Sequence, residues 1–177
     1  MKYIVFDLEA TCWDQHNKKD NETIEIGAVM INENKEIEST FEQFVKPIKY
    51  PVLSDFCKEL TSINQNEVDN APYFSEAKER FLNWINTEEY ILCSWGFYDK
   101  KQFESDCKIH SLDVNWFKNH ISIKHQYTEI KQLKRGLGMK RALNNEGFEL
   151  DGTHHRGIDD AKNIAKIFIK YFDKWSF

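Results

Sequence analysis

The chain has 177 residues, 41% of them apolar and 30% charged, which suits one globular domain over residues 1–177 and excludes wholesale disorder. Its net charge of −5 argues against a non-specific nucleic-acid coat but not against an enzyme that gathers carboxylates around metal ions. No apolar run approaches the ~20 residues that span a bilayer, so no membrane partner is expected.

Residues 3–8 form a short apolar run that enters Asp7-Leu8-Glu9-Ala10-Thr11 and reads as a buried strand. A polar loop is expected over residues 15–22. Ile24, Ile26, Ala28 and Met30 alternate with Glu25, Gly27, Val29 and Ile31 as a second strand, closed by the turn signal Asn32-Glu33-Asn34. Residues 37–45 make a third strand, which ends before Pro47. Three consecutive strands on short connections imply an antiparallel meander. Residues 53–63 and 65–68 then read as short helices. Pro72 opens another, in which Phe74, Ala77, Phe81, Leu82 and Ile85 recur at helical spacing. Residues 90–95 are a fourth strand with Gly96 at its exit, followed by a helix over 99–109 and a short fifth strand over 121–124. Helices are expected over 127–136, 139–145 and 158–175. The sum is an α/β domain whose mixed five-stranded sheet, a meander plus parallel strands, is flanked by helices.

Cys12, Cys57, Cys93 and Cys107 show no C-x-x-C spacing, which disfavours zinc. The N-terminus reaches Asp7 too early for the apolar core of a signal peptide, so reduced thiols in a cytoplasmic protein are expected.

The chemistry concentrates in three places. Asp7 and Glu9 lie two apart on a strand and leave its same face. Buried carboxylates are costly unless paired or bound to metal. Asp99 follows the fourth strand, which is a place both for a functional acid and for a helix N-cap. In the last helix, Asp160 shares an apolar stripe with Ile164, Ile167 and Tyr171. Asp159 instead leads a solvated stripe of Asn163, Lys166 and Lys170. Four acids from three segments repel one another unless divalent cations hold them, and oxygen-only ligation selects Mg²⁺ or Mn²⁺. Two such ions clamp the attacking and leaving oxygens of a phosphoryl displacement, and a neutral histidine takes the proton of the attacking water. Spacing leaves His154 and His155 both open for that base.

Phe6-Asp7-Leu8-Glu9-Ala10-Thr11-Cys12-Trp13, Ser94-Trp95-Gly96-Phe97-Tyr98-Asp99 and His155-Arg156-Gly157-Ile158-Asp159-Asp160 together resemble the three motifs of the DEDDh 3′→5′ exonucleases, and within them the ERI/KapD-like branch. The segments 22–29, 53–61 and 68–72 also resemble that branch, so the likeness covers nearly the whole chain. It implies an RNase H-like fold, with Asp7, Glu9, Asp99 and Asp160 as ligands of two Mg²⁺ (or Mn²⁺) ions and His155 as general base. It also implies hydrolysis from the 3′ end of single-stranded RNA or DNA, with RNA favoured, to nucleoside 5′-monophosphates. Backbone near Ala10 and Thr11 would meet the terminal sugar, and Leu60 its base. Ser62 stands where the branch usually has glycine.

Arg156, beside the implied base, and Trp13, a stacking ring, are further substrate-binding candidates. Lys124, Lys131, Lys134, Arg135, Lys140 and Arg141 against Glu129 make 124–141 a basic stretch. No separate nucleic-acid-binding domain is expected. Two other readings remain open. A haloacid-dehalogenase-like phosphatase fits Asp7-Leu8-Glu9-Ala10-Thr11 loosely, but that fold expects a helical crossover after its first strand. A catalytically silent nucleic-acid- or protein-binding module would keep the fold without the chemistry.

Overall fold

The computed structural model describes residues 1–14 and 20–177. The expected loop over 15–22 therefore lies largely outside the described residues. Five strands form one sheet in the order β3-β2-β1-β4-β5: β1 is Lys2–Ala10, β2 Thr23–Ile31, β3 Ile37–Phe44, β4 Tyr90–Ser94 and β5 His120–Ser122. β1 pairs antiparallel with β2, and β2 with β3, while β1–β4 and β4–β5 are parallel. The mixed sheet and its opening meander are as the sequence implies. The first strand pairs antiparallel with the next strand in sequence, β2, where the phosphatase fold expects a crossover to a parallel neighbour, which removes that fold. No helix among the described residues is long and apolar enough to cross a membrane.

The helices are α1 (Asp55–Thr61), α2 (Gln65–Asp69), α3 (Phe74–Ile85), α4 (Tyr98–Ile109), α5 (Ile123–Ile130), α6 (Met139–Glu146) and α7 (Gly157–Lys170). One apolar layer joins Ile4, Phe6, Ile26 and Ala28 to Phe74, Phe81 and Phe103 of α3 and α4. The other joins Val5, Val29 and Ile31 to Ile164, Ile167 and Phe168 of α7. Both faces of β2 are covered, so its alternation is between two cores and not between core and solvent.

Three expectations shift. The fifth strand ends at Ser122, and Ile123 and Lys124 already belong to α5, which stops near Gln132 at φ 52°. α7 ends at Lys170, because the chain folds back until the Trp175 indole N–H donates to the Phe168 carbonyl at 2.8 Å. Asn163 is buried and not solvated: its amide donates to the carbonyls of Asp151 and Asp159.

The start of α7 is fixed by a backbone contact. A Cβ on Gly27 would lie 2.0 Å from the carbonyl carbon of Gly157. Gly27 is the Cα partner of Asp7, so this contact sets the helix end directly over the first acid. The buried Glu25 carboxylate closes the joint, accepting the N–H groups of Gly157 (3.0 Å) and Ile158 (3.2 Å). Those are donors that a helix N-terminus otherwise leaves unsatisfied.

Gly27→Ala should cost about 3 kcal/mol through overpacking against backbone. In a chain of this size that lowers the melting temperature by about 6–12 °C. Calorimetry checks it, and an unchanged melting temperature would show that the two segments can separate freely.

Candidate active site

The carboxylates of Asp7 and Glu9 leave the end of β1, and Asp160 meets them from the first turn of α7. Oxygens of the three lie within 4.8 Å of one another. Asp99, in the first turn of α4, is buried and accepts the Leu8 N–H at 3.2 Å, which ties it to the strand segment between Asp7 and Glu9. Glu9 and Asp160 are buried as well. Four acids from three segments are thus brought to one cleft of about 510 Å³, lined also by His154 and His155.

Burial and mutual repulsion dominate the electrostatics of Asp7 and Glu9, and burial that of Asp99. Burial, then Asp99, Glu9 and Asp160, raises Asp7 well above the usual carboxylate range. Burial and the charges of Asp160, Glu25 and Asp99 push Glu9 up to about 8. Burial pushes Asp99 up to about 6 although Leu8 donates to it. No lysine or arginine forms an ion pair with any of the four among the described residues. An oxygen-only donor set of this kind fits hard divalent cations.

The two histidines, left open by spacing, take different posts. His154 places Nδ1 3.0 and 3.1 Å from the two Asp160 oxygens and stacks on the His155 ring at 4.0 Å. His155 adopts a left-handed backbone, φ 66°, held by its own N–H donating to Asp160 at 3.1 Å. Burial and the His154 charge lower the His155 pKa, so its imidazole is neutral near pH 7 and able to accept a proton.

The expected substrate contacts divide. Arg156 does not line the cleft. Its Nε donates to Glu25 at 3.1 Å, its Nη2 to Glu42 at 2.8 Å, and the guanidinium lies over Phe44, so it braces α7 on the sheet. The Thr11 N–H donates to the Glu22 carbonyl at 2.9 Å, and its hydroxyl accepts the Glu22 N–H at 3.0 Å, so that side chain shapes the loop. Ala10 is buried beside it, with its carbonyl facing the Cys57 thiol. Trp13 packs edge-on against Tyr50. Leu60 is partly exposed on α1. Ser62 caps α1 at φ 59°, the left-handed position that glycine takes without strain. The basic stretch is not one face: Lys131 pairs with Glu146, whereas Lys134, Arg135, Lys140 and Arg141 are exposed beyond the end of α5.

Residues 4–168 match the Exonuclease (RNase_T) family. The chain belongs to that family. Within it, the chain is 34% identical to the human 3'-5' exoribonuclease 1 over 94% of its own length and 51% of the relative's. It is 36% identical to the human ERI1 exoribonuclease 3 over 93% of its length and 52% of the relative's. ERI1 exoribonuclease 2 of Xenopus laevis is 32% identical, and there the chain spans 27% of the relative. The chain thus covers between about a quarter and about half of these exonuclease-family relatives. Among solved structures, the nuclease domain of 3'hExo, a DEDDh family member, bound to rAMP, superposes at a TM-score of 0.92 with 32% identity, over 97% of this chain and 92% of that one. The RNase H-like fold extends to exonuclease I, at a TM-score of 0.79 and 9% identity.

Sequence reading assigned no role to Glu25. Its signal was present: a glutamate in a strand whose other positions are small or apolar, paired in register opposite Glu9. His125 and Phe97, which line the cleft, were given no role either, and Lys124 was read only as part of the basic stretch.

An acid whose folded-state pKa is raised keeps a proton that the unfolded chain has lost, so stability falls as pH rises through that interval. For Glu9 the interval runs from its ordinary value of 4.5 up to about 8. In chelator, the melting temperature should therefore fall between pH 6.5 and 8, and Glu9→Gln should flatten that fall and be the more stable protein at pH 8. Parallel wild-type and variant curves would contradict the assignment.

Proposed function

We propose that this chain is a metal-dependent 3′→5′ exonuclease that hydrolyses single-stranded RNA to nucleoside 5′-monophosphates. The observation that carries the reading is the convergence of Asp7, Glu9 and Asp160 oxygens within 4.8 Å of one another, with the His155 imidazole at the edge of the same cleft. Family membership supports it, as do the exoribonuclease names of the relatives and the nucleotide held by a solved one. RNA is preferred because those relatives are exoribonucleases.

Asp7, Glu9, Asp99 and Asp160 are the residues that would hold Mg²⁺, or Mn²⁺ in its place. Bound there, divalent cations supply the positive charge that lets the acids ionise and that offsets the charge developing on the reacting phosphate. His155 accepts the proton of the attacking water. The water oxygen forms a bond to phosphorus, the bond from phosphorus to the 3′ oxygen of the preceding nucleotide breaks, and that oxygen takes a proton from solvent to leave as a hydroxyl, while His155 gives its own proton back to solvent. Asp160 fixes both histidines by accepting the His155 N–H and facing His154 Nδ1, so the helix that supplies an acid also orients the base. The terminal nucleoside would lie toward Ala10, Thr11 and Leu60. A silent binding module is disfavoured, because repelling buried acids with no ligand to hold are costly to keep.

The test is digestion of 5′-labelled single-stranded RNA beside single-stranded DNA. Shortening from the 3′ end should require Mg²⁺ or Mn²⁺ and stop with chelator. Asp99→Ala should abolish it in a folded protein, and His155→Ala should lower kcat by about 10²–10⁴. RNA bound but intact with either metal would defeat the proposal.

A further inference from the structure

The cleft has a second wall that the acids do not explain. Phe97 and Tyr98 from the turn into α4, and Lys124 and His125 from the first turn of α5, line the same cavity as Asp7, Glu9 and Asp160. Lys124 is the one lysine or arginine among the residues lining that cavity, and it forms no ion pair among the described residues. Its place is built, not incidental. Its N–H donates to the Trp95 carbonyl at 2.7 Å, and its carbonyl accepts the Thr128 hydroxyl at 2.6 Å. Its stem lies against Gly136, where an added Cβ would meet Lys124 Cε at 2.7 Å.

The same cavity wall also carries an exposed aromatic face. Phe97 is 46% exposed, although a ring of that size is usually covered in a folded chain. The His125 ring packs against it at 4.7 Å and 34°, and is itself fixed by the Ser122 hydroxyl 2.6 Å from Nδ1. A supported aromatic face lining one cavity with a lysine that forms no ion pair among the described residues is the chemistry that takes one nucleotide, base on ring and phosphate on cation.

Sheet order gives the direction. α1, which carries Leu60, packs on Ile24 of β2 and Phe44 at the end of β3. α5 follows β5, at the opposite edge, and Asp7 and Glu9 lie between on β1. A strand with its terminal nucleoside on the α1 side and its scissile phosphate over the acids sends its next nucleotide toward α5.

We propose that Lys124 and Phe97, the latter backed by His125, form the subsite for the nucleotide on the 5′ side of the scissile bond, Lys124 binding its phosphate and Phe97 its base. The proposal rests on the exonuclease reading and says how that site grips its substrate. Steady-state kinetics on 5′-labelled single-stranded RNA, at several salt concentrations, test it. Lys124→Gln should raise KM about tenfold and reduce the slope of log(kcat/KM) against log[salt] by about 0.7, the loss of one phosphate contact. Lys124→Arg should restore both. Phe97→Ala should raise KM about tenfold and leave the salt slope as in the wild type, and Phe97→Trp should recover KM. Wild-type KM and slope in Lys124→Gln and Phe97→Ala, with the wild-type enzyme active, would overturn the subsite. Intact RNA from the wild type in Mg²⁺ and Mn²⁺ would defeat the exonuclease reading instead, and the subsite falls with it.

Discussion

The first turn of α7 meets the backbone of β2 with no side chain between them, and the geometry of the cleft depends on that contact. Gly27 and Gly157 bring the helix end close enough for Glu25 to accept its first free N–H groups. Glu25 in turn is paired with Arg156, which reaches on to Glu42. This brace decides where Asp160 sits, and with it the Asp160 hydrogen bond that holds His155 in a left-handed backbone. Removing one partner of a buried, hydrogen-bonded pair is strongly destabilising. Changes at Glu25 or Arg156 therefore reach the site through the helix.

Assembling the acids works against the fold. Each carboxylate whose pKa burial and its neighbours raise marks free energy set against the folded chain as pH rises. The broad apolar layers on both faces of the sheet offset it, and a ligand that binds only the folded form recovers it by mass action. Stability of the metal-free protein and affinity for cations are two readings of the same repulsion.

Much of this was legible in the chain. The meander, the helix periods and the inward stripe of Asp160 follow from apolar spacing, which reflects burial directly. No acid was legible alone, since a strand end or a helix cap explains each; it was their combination in three segments that pointed to one site, and the structure brings them to one cleft. What spacing missed depends on contacts between distant segments. Asn163 looked solvated by period alone, yet its amide meets the carbonyl of Asp151 from the preceding loop. Arg156 looked free beside a base, yet Glu25 and Glu42 lie more than a hundred residues away in sequence and next to it in space. The left-handed backbone of Ser62 explains why glycine is usual there: the position ends a helix in a conformation that a Cβ resists.

The central claim is that the acids at positions 7, 9, 99 and 160 are a cradle for paired cations. Diffraction from crystals soaked in Mn²⁺, with anomalous scattering recorded at the manganese edge, tests it most directly. The account predicts two peaks about 3.5–4 Å apart among those four carboxylates, both lost in Asp160→Asn. Peaks elsewhere with the cradle empty would contradict it.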